Sequence, residues 1–476
     1  MSWHDYFVGT DEGSNEQLRD AVVDAVRALQ QPFAAPRTDR APLDLLALAE
    51  NMDICPEQGT PLSEVLEALG AQVFAHGVVP SHPFTVAHLH PPVTVSAAVT
   101  DLIISATNQS MDSWDQAPMA TAVELRLLSW LGTQLGMPAT ATGVMTSGGT
   151  ASNVLGITLA RSRAAAALGC DVLKEGLPAQ ARQWRILCSN QAHFSIQRAA
   201  AQLGLGRDAV TTVATDAGGR MDLAALDAAI TECRDAGLTI IAIAGTAGTT
   251  DLGAIDPLDG IAERAAAIGA WFHVDAAVAG AFVMSDHLRG LLAGIERADS
   301  VTVDFHKLWW QPFNASCLTV RDGDVFKLLR VKSQYLDRGD EPDGVINLVG
   351  RSLDTSRRFD AAKVVASLQT IGRQNFGAML DHQHALAVYC AEHIAESDLF
   401  DLVAPAHAVT VVFDAPGYGD EAYREVQQGL LLRGEAIIGR TTILGRAALK
   451  FTFMNPLTTF AQVDELLELV AGTLRG

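Results

Sequence analysis

The stretch WFHVDAA at residues 271–277, followed by SVTVDFHK at residues 300–307, decides the fold of this chain. Each run combines apolar and β-prone residues and carries a charged residue at or near its end, Asp275 in the first and Lys307 in the second. The helix-like segment LDGIAERAAAIGA at 258–270 precedes the first run. Continuous apolar runs of this length are typical of strands that are buried on both faces of a parallel sheet. The two stretches therefore predict strands of an α/β domain.

The same alternation extends from about residue 120 to residue 320. Further strand-like runs are WRILCSN, AVTTVAT and TIIAIAG at 184–190, 209–215 and 239–245, and helix-like segments such as LAALDAAITECRDAG at 223–237 lie between several of them. This order predicts an α/β fold with a largely parallel sheet covered on both faces. Ligands on such sheets bind at the carboxyl ends of the strands, so residues that follow the strands are candidates for a functional site.

The two ends of the chain have a different pattern. Residues 15–80 contain amphipathic helical segments, which rarely form a complete core alone, so we expect them to pack against the rest of the protein or a second subunit. Residues 376–476 combine helices at both ends with the strand-like runs VTVVFD and ALKFTFM, which indicates a smaller α+β domain. We predict three parts: an N-terminal helical segment at 1–85, a large α/β domain at 86–375 and a small C-terminal domain at 376–476.

Composition limits the class of protein. The chain has 476 residues, of which 49% are hydrophobic and 19% charged, as in ordinary globular proteins with a large core. Its formal net charge of −21 argues against binding nucleic acid or an anionic membrane through a broad positive surface, whereas it suits a cationic substrate. We therefore expect no nucleic-acid partner and no membrane partner.

The cysteines and the N-terminus point to the cytoplasm. None of the six cysteines forms a CxxC pair or a Cys/His cluster with metal-ligand spacing, so we expect reduced thiols and no metal site; they are Cys55, Cys170, Cys188, Cys233, Cys317 and Cys390. The N-terminal MSWHDYFVGTDEG is polar and lacks a signal-peptide core, and the longest apolar stretch, Leu238–Ala247, is too short to span a bilayer. We expect a soluble cytoplasmic protein.

A Gly-rich turn is the first candidate for a binding site. In GVMTSGGTASN at 143–153, a strand-like run passes through a turn of small residues into a helix. Such a turn presents free backbone N–H groups and the positive end of the helix dipole, which suits a phosphate. Turns with paired glycines are also common structural connections, and the pattern alone does not decide between the two. It is neither a dinucleotide-binding nor a P-loop motif.

Three polar residues follow the strand-like runs. His193 follows WRILCSN, where a histidine is a catalytic candidate or a packed helix cap. Asp275 ends a very apolar run, where a desolvated carboxylate requires a cationic partner unless it caps the next helix. Lys307 ends SVTVDFHK and could serve as an amine nucleophile or as an ordinary lysine at a strand end.

The order of these features resembles that of a known group of enzymes. Phosphate turn, His, Asp and Lys follow one another in this way in fold-type I pyridoxal-phosphate enzymes. Within that group, TSGGT, HFS, HVDAA and DFHK resemble the group II amino-acid decarboxylases, which include the aromatic-amino-acid and glutamate decarboxylases. PFTVAHLHPP at 83–92 and ISATNQSMDSWDQAP at 104–118 are most similar to bacterial diamino-acid decarboxylases such as the L-2,4-diaminobutyrate decarboxylases. The similarity extends from about residue 75 to the C-terminus.

The resemblance implies pyridoxal 5'-phosphate as cofactor and a role for each matching residue. Lys307 would carry the cofactor covalently, Asp275 would hold its ring nitrogen protonated, His193 would stack on the ring face, and His306 would lie beside the phosphate and the lysine. The implied cofactor-binding residues are Gly148, Gly149, Thr150, His193, Thr250, Asp275, Ala277, Asp304, His306 and Lys307.

Further residues match the family outside the strand ends. Tyr335 lies in the stretch 328–344, whose part DRGDEPDG at 337–344 is polar and turn-rich. It corresponds to a loop tyrosine that protonates the α-carbon, or it is a half-buried loop aromatic. Arg358 is a candidate for pairing with a carboxylate, or it ties this loop to the core. His88 and His90 are candidates for the substrate pocket, contributed from a neighbouring subunit, since the resemblance implies an intertwined homodimer with active sites at the interface.

The implied reaction is α-decarboxylation of an L-amino acid to an amine and carbon dioxide. A diamino acid is expected as substrate, first 2,4-diaminobutyrate, then lysine or ornithine, and third an aromatic amino acid. Transamination, decarboxylation-coupled oxidative deamination and a non-catalytic regulatory subunit are the alternatives. Val278, where the family often has an aromatic residue, and the bulky LWWQPFNAS at 308–316 depart from the pattern and leave the substrate open.

Overall fold

The computed structural model describes residues 7–9, 11–29, 35–36, 40–329, 344–443 and 445–476. Tyr335 lies outside these described residues. The α-helices are α1 (Glu12–Leu29), α2 (Pro42–Glu50), α3 (Leu62–Gln72), α4 (Val95–Thr107), α5 (Pro118–Gln134), α6 (Gly149–Ala166), α7 (Val172–Glu175), α8 (Ser195–Gln202), α9 (Leu223–Asp235), α10 (Leu258–Ile268), α11 (Ala361–Ala395), α12 (Asp420–Leu432) and α13 (Phe460–Arg475).

The strands form two sheets. They are β1 (Thr142–Thr146), β2 (Trp184–Ser189), β3 (Val210–Val213), β4 (Thr239–Thr246), β5 (Trp271–Asp275), β6 (Ser300–Asp304), β7 (Ser316–Val320), β8 (Asp401–Leu402), β9 (Thr410–Asp414), β10 (Gly439–Ile443) and β11 (Arg446–Thr452). A seven-stranded sheet has the order β1-β7-β6-β5-β4-β2-β3, and a four-stranded sheet has the order β10-β11-β9-β8.

The large sheet is mostly parallel. The pairs β2/β3, β2/β4, β4/β5 and β5/β6 are parallel, whereas β7 runs antiparallel to both of its neighbours, β1 and β6. Therefore β1, β2, β4, β5 and β6 all end at the same edge of the sheet. The predicted α/β class with a largely parallel sheet is confirmed.

Apolar sequence explains why the central strands lie where they do. Every residue of β5 and β6 is buried, and the helix α6 packs against β4, β5, β6 and β7. In α6 the buried positions continue almost without interruption from residue 152 to residue 160, so this helix is enclosed rather than amphipathic. A strand or helix buried on all sides fixes the position of the polar residues at its end.

The link between β5 and β6 differs from the structure that its length suggests. The interval of 32 residues between Asp275 and Lys307 fits one α-helix between neighbouring strands. The strands are neighbours, but their connection contains three short 3-10 helices, Ala279–Met284, Arg289–Leu292 and Ile295–Arg297, and no α-helix. This connection contains glycines at 280, 290 and 294, and its apolar residues do not recur at helical spacing. It therefore does not form a long helix.

The chain divides into two compact units. One contains residues 89–393 and 402–412 and holds the seven-stranded sheet; the other contains residues 1–88, 394–401 and 413–476. Within the latter, the amide N–H of Val86 donates to the carbonyl of Ile437 (2.8 Å) and the N–H of Thr452 donates to the carbonyl of Val86 (2.8 Å). The N-terminal part of the chain therefore packs against the C-terminal part inside this unit. The division at residues 85 and 375 stays a prediction.

Two further features concern the helices. The long helix α11 is interrupted at Gly372, whose φ of 73° and ψ of 159° lie outside the helical region and require glycine. Within the described ranges, no helix is both long and apolar enough to cross a bilayer.

Candidate active site

Strand ends of the large sheet meet at a cavity of about 590 Å³. Residues that follow β1, β2, β4, β5 and β6 line it. The structure brings together all of the cofactor-binding residues expected from the sequence: Gly148, Gly149, Thr150, His193, Thr250, Asp275, Ala277, Asp304, His306 and Lys307.

The turn between β1 and α6 forms one end of this cavity. Helix α6 begins at Gly149, and Ser147, Gly148, Thr150 and Ala151 also line the cavity. The amides of the first helical turn have no acceptor within the helix, and the helix dipole is positive at this end. This end of the cavity can therefore bind a phosphate through backbone N–H groups.

Asp275 lies at the end of β5 and is only 6% exposed. Its Oδ2 accepts a hydrogen bond from Asn153 Nδ2 (2.7 Å), and its Oδ1 accepts one from the amide of Ala277 (3.1 Å). Among the residues that the structure describes, no Lys, Arg or His forms an ion pair with this carboxylate. A buried carboxylate supported only by neutral donors is favourable once a cation lies beside it.

His193 lies between β2 and α8. Its Nδ1 is 2.8 Å from Ser195 Oγ and 3.3 Å from the amide nitrogen of Ser195. Its ring also packs against Phe194 at a centroid distance of 4.1 Å. Burial lowers the pKa of His193, opposed by the nearby carboxylate of Asp275, so the imidazole is neutral at pH 7.

Lys307 pairs with Asp304. The distance between Lys307 Nζ and Asp304 Oδ2 is 3.0 Å, and Ser316 Oγ donates to the other oxygen of this carboxylate at 2.5 Å. His306 Nε2 lies 3.5 Å from Asp304 Oδ2, while its Nδ1 accepts from the amide of Ala315 (3.3 Å). Burial lowers the pKa of His306, with Asp304 opposing the shift. The amine therefore lies in the cavity, held at the end of β6.

These residues fit pyridoxal phosphate. The start of α6 suits the phosphate, and Asp275 lacks the cation that a protonated pyridine nitrogen would supply. Lys307 places an amine in the same cavity, which suits the cofactor's aldehyde, and His193 and Ala277 line this cavity as candidates to contact the ring. Within the described ranges, no three His, Cys, Asp or Glu side chains come together as metal ligands.

Arg358 and its neighbour Arg357 have different surroundings. Arg358 is half-exposed and donates to Asp101 Oδ1 and to Ser105 Oγ, both at 3.2 Å. It lines a second cavity of about 290 Å³ that shares Ser147 and Phe313 with the first. Arg358 was predicted from the sequence as a site residue, whereas Arg357 was not.

Arg357 forms a buried ion pair with Glu124. Arg357 Nη1 donates to Glu124 Oε2 (3.1 Å) and to the carbonyl of Met145 (3.1 Å), and Glu124 Oε1 accepts from the amide of Met145 (3.0 Å). The pair thus holds β1 one residue before its end, next to the phosphate turn. Glu124 lies among apolar residues of α5, and this was the signal that could have revealed the pair.

The two candidate histidines of the substrate pocket lie in different units. The His90 ring lies 5.2 Å from the ring of Phe313, which lines the large cavity, whereas His88 is exposed and belongs to the unit that contains the N-terminus. Val278 lines the large cavity as well. From the bulky stretch at 308–316, Phe313 reaches the cavity, while Trp309 and Trp310 are buried.

Asn153 is a second site residue that was not predicted from the sequence. It lies in α6 and is almost fully buried, and its amide contacts both Asp275 and Ser195, at 2.7 and 2.8 Å. A signal was present, because Ser152 and Asn153 are polar residues at the start of an enclosed helix, where each requires a partner.

Comparisons with known proteins agree with this site. The chain is 38% identical over 99% of its length to an L-2,4-diaminobutyrate decarboxylase of Rhizobium meliloti (strain 1021), covering 94% of that protein. It is 37% identical over 81% of its length to an L-2,4-diaminobutyrate decarboxylase of Acinetobacter baumannii, covering 79% of that protein.

A solved structure is similar along the whole chain. It is the glutamate decarboxylase domain of diaminobutyrate-pyruvate transaminase and L-2,4-diaminobutyrate decarboxylase from Vibrio parahaemolyticus, with a TM-score of 0.92 and 36% identity, over 99% of this chain and 98% of that one. The predicted fold type I is therefore confirmed. Residues 42–415 match the family described as the pyridoxal-dependent decarboxylase conserved domain. The chain therefore belongs to the pyridoxal-dependent decarboxylases, and it is an amino-acid decarboxylase that uses pyridoxal phosphate.

Proposed function

We propose that this enzyme removes the α-carboxyl group of L-2,4-diaminobutyrate as carbon dioxide and releases 1,3-diaminopropane. The names of the two bacterial relatives and of the solved structure support this substrate. The net charge of −21 also suits a substrate that carries two ammonium groups. The single observation that carries the reaction is the cavity in which Lys307, Asp275, His193 and the start of α6 meet.

The positions of the residues in the cavity support a proposed role for each of them. When bound, pyridoxal phosphate supplies a protonated ring that accepts the electrons of the breaking bond. Asp275 would stabilise the positive charge on the ring nitrogen, and the first turn of α6 would hold the phosphate. Lys307 would hold the cofactor through its side-chain amine, while the neutral ring of His193 would cover one face of the site and exclude water.

The remaining candidate residues stay proposals. Tyr335 would protonate the α-carbon, and a Tyr335→Phe variant that keeps its amine yield would remove it from that role. Arg358, His90 and His88 would contribute to the substrate pocket or its surroundings. Loss of discrimination among diamino acids in single variants of these three residues is the corresponding measurement.

We also propose a homodimer located in the cytoplasm. Helix α4 supports the dimer, because Val95, Val99 and Ile103 repeat at intervals of four residues and are 81%, 55% and 56% exposed. Such a stripe is unfavourable in water and would be buried by a second copy of the chain. Scattered free cysteines support the cytoplasm; fractionation of the source cells tests that location.

Carbon dioxide release from a panel of L-amino acids, with added pyridoxal phosphate, tests the function. The panel contains 2,4-diaminobutyrate, ornithine, lysine, glutamate, aspartate and tyrosine. Fastest release from 2,4-diaminobutyrate, with 1,3-diaminopropane as product, is expected. Preference for tyrosine or for glutamate would overturn the substrate, and a keto acid or aldehyde in place of the amine would overturn the reaction.

A further inference from the structure

Asp275 and His193 are not independent residues in this structure. Both are hydrogen-bonded to one buried network that contains Asn153, Ser195 and His273. Each of these three side chains has almost no exposed area. The direction of each hydrogen bond in this network can be deduced from the chemistry of its members.

The contact with Asp275 fixes the orientation of the Asn153 side-chain amide. A carboxylate only accepts hydrogen bonds, so the atom of Asn153 that lies 2.7 Å from Asp275 Oδ2 is the amide nitrogen. The same nitrogen donates its second proton to Ser195 Oγ at 2.8 Å. The amide oxygen of Asn153 therefore points the other way and must accept.

The amide oxygen of Asn153 has two donors. Its Oδ1 accepts from Thr302 Oγ1 (2.7 Å) and from His273 Nε2 (2.9 Å), so the proton of His273 is on Nε2. The unprotonated Nδ1 of His273 accepts from the hydroxyl of Ser300 at 2.8 Å. Burial lowers the pKa of His273 to about 4, in agreement with a neutral ring.

Ser195 connects Asn153 to His193. Because Ser195 Oγ already accepts from Asn153, its own proton is free to be donated to His193 Nδ1 at 2.8 Å. The backbone N–H of Ser195 points at the same atom from 3.3 Å and is also a donor. With two donors directed at Nδ1, the proton of neutral His193 must be on Nε2.

We propose that Asn153 is a positioning residue that couples Asp275 to His193 through Ser195, and that this coupling holds His193 as the Nε2–H tautomer in the cofactor cavity. The inference rests on the proposed contacts of Asp275 and His193 with the cofactor, and it is independent of the identity of the amino-acid substrate. Asn153 would thereby hold Asp275 in place beside the cofactor's ring nitrogen. It would also determine which nitrogen of His193 carries the proton.

The first experiment uses the apoprotein and requires no turnover. The protein is labelled with ¹⁵N-histidine, and two-bond ¹H–¹⁵N correlation spectra at pH 7.5 identify the protonated ring nitrogen of each histidine. His193→Gln assigns the His193 signals. We expect a protonated Nε2 and an unprotonated, hydrogen-bonded Nδ1 for His193, and a protonated Nδ1 would overturn the proposal.

The Asn153→Asp variant reverses one bond in the chain. The introduced carboxyl group shares one proton with Asp275, because two carboxylates at this distance do not both ionise. It keeps the acceptor for His273 and Thr302, and its oxygen beside Ser195 accepts from Ser195, so the hydroxyl proton of Ser195 turns away from His193. We expect the Nδ1 resonance of His193 to move downfield as it loses this bond. An unchanged resonance would overturn the coupling. Thr158→Val is the matched control, because Thr158 is a buried residue of the same helix whose hydroxyl donates to the carbonyl of Val154.

The second experiment measures the binding of pyridoxal phosphate to the apoprotein by absorbance titration. Asn153→Leu should weaken binding roughly 10- to 100-fold, because a hydrogen bond to a charged group contributes about 1.5–3 kcal/mol. Ser195→Ala should weaken it less. The double variant should bind as weakly as Asn153→Leu alone, since both act through one chain. Additive losses would overturn the proposal, while a failed substrate assignment would leave all of these measurements unchanged.

Discussion

Glu124 and Arg357 show at the scale of single residues how strongly position decides the contribution of a charge. Glu124 has no exposed area, whereas Arg358, next to Arg357 in the sequence, has a side chain that is 44% exposed. Removing one partner of a buried ion pair leaves an uncompensated charge without water, which costs far more than the loss of a surface pair.

We expect Arg357→Met to lower the free energy of unfolding by about 3–5 kcal/mol, because Glu124 would remain buried without its cation. Arg358→Met is the matched control and should cost no more than about 1 kcal/mol. Urea unfolding of both variants under the same conditions measures the two values. Equal costs for the two variants would contradict the assignment of the buried role to Arg357.

His273 should make the stability of the protein sensitive to acid. Burial lowers its pKa in the folded state to about 4, from 6.5 in the unfolded chain. Below pH 6.5, His273 is protonated in the unfolded chain but stays neutral in the folded protein. The free energy of unfolding therefore decreases as pH falls from 6.5 towards 4. About 2 kcal/mol should be lost between pH 7 and pH 5 through this group.

Urea unfolding at pH 7 and pH 5 measures this loss. His273→Gln keeps a donor for Asn153 but does not titrate, and it should lose about 2 kcal/mol less than the native chain over this range. His287→Gln, at a side chain that is 84% exposed, is the control and should behave as the native chain does. The same loss in all three proteins would remove His273 as the cause.

At the scale of elements, the turn between β1 and α6 depends on close approach to the end of β6. A Cβ atom at Gly149 would lie 2.9 Å from Asp304 Oδ2, the oxygen that also contacts Lys307. The first turn of the helix and the Asp304–Lys307 pair are thus packed directly against each other.

We expect Gly149→Ala to weaken binding of pyridoxal phosphate roughly 5- to 150-fold, because overpacking of such a contact costs about 1–3 kcal/mol. Gly290→Ala is the control, since a Cβ at Gly290 meets nothing within 4 Å. Titration of the two apoproteins with the cofactor measures the difference. Native affinity in Gly149→Ala would show that the turn adjusts without loss.

Helix α4 gives a test of the proposed dimer. Val99→Lys places a charge in the middle of the exposed apolar stripe and should convert a dimer into monomers, as measured by light scattering. Leu173→Lys, at an exposed leucine of the short helix α7, introduces the same charge elsewhere and should leave the dimer intact. A dimer that survives Val99→Lys would exclude this stripe as its centre.

The elements also show how far the sequence predicts this protein. Strands β2 to β6 and helices α9 and α10 were predicted from apolar runs and periodicity, because both depend on local pattern. The 3-10 connection between β5 and β6 was not, since the spacing alone cannot distinguish one α-helix from several short turns. Asn153 and Arg357 were overlooked because their partners, Asp275 and Glu124, are more than 100 residues away in the chain.

At the scale of the whole molecule, the six free cysteines differ widely in access. Cys55 is exposed and Cys170 is half-buried, while Cys188, Cys233, Cys317 and Cys390 are buried. Burial raises the pKa of Cys188 to about 12 and also raises the pKa of Cys317. Thiol reagents attack the thiolate, so both burial and the raised pKa slow the reaction.

We therefore expect a thiol reagent to modify Cys55 rapidly in the native protein, Cys170 more slowly, and the other four only after denaturation. Chromogenic titration with and without guanidinium measures the two totals, and Cys55→Ser is the control that should remove the rapid phase. Rapid modification of more than two native thiols would indicate a core more open than this structure.

The unit that contains the N-terminus is assembled from the two ends of the chain, and this affects how the protein emerges from the ribosome. The segment around Val86 forms backbone hydrogen bonds with Ile437 and Thr452, which are synthesised about 350 residues later. At roughly 5–20 residues per second, that delay is on the order of 20 to 70 seconds. During this interval the seven-stranded sheet can form, while the segment around Val86 lacks its hydrogen-bond partners Ile437 and Thr452. A nascent chain arrested before residue 437 should therefore be cut by protease near residue 86, at a position that the finished protein protects.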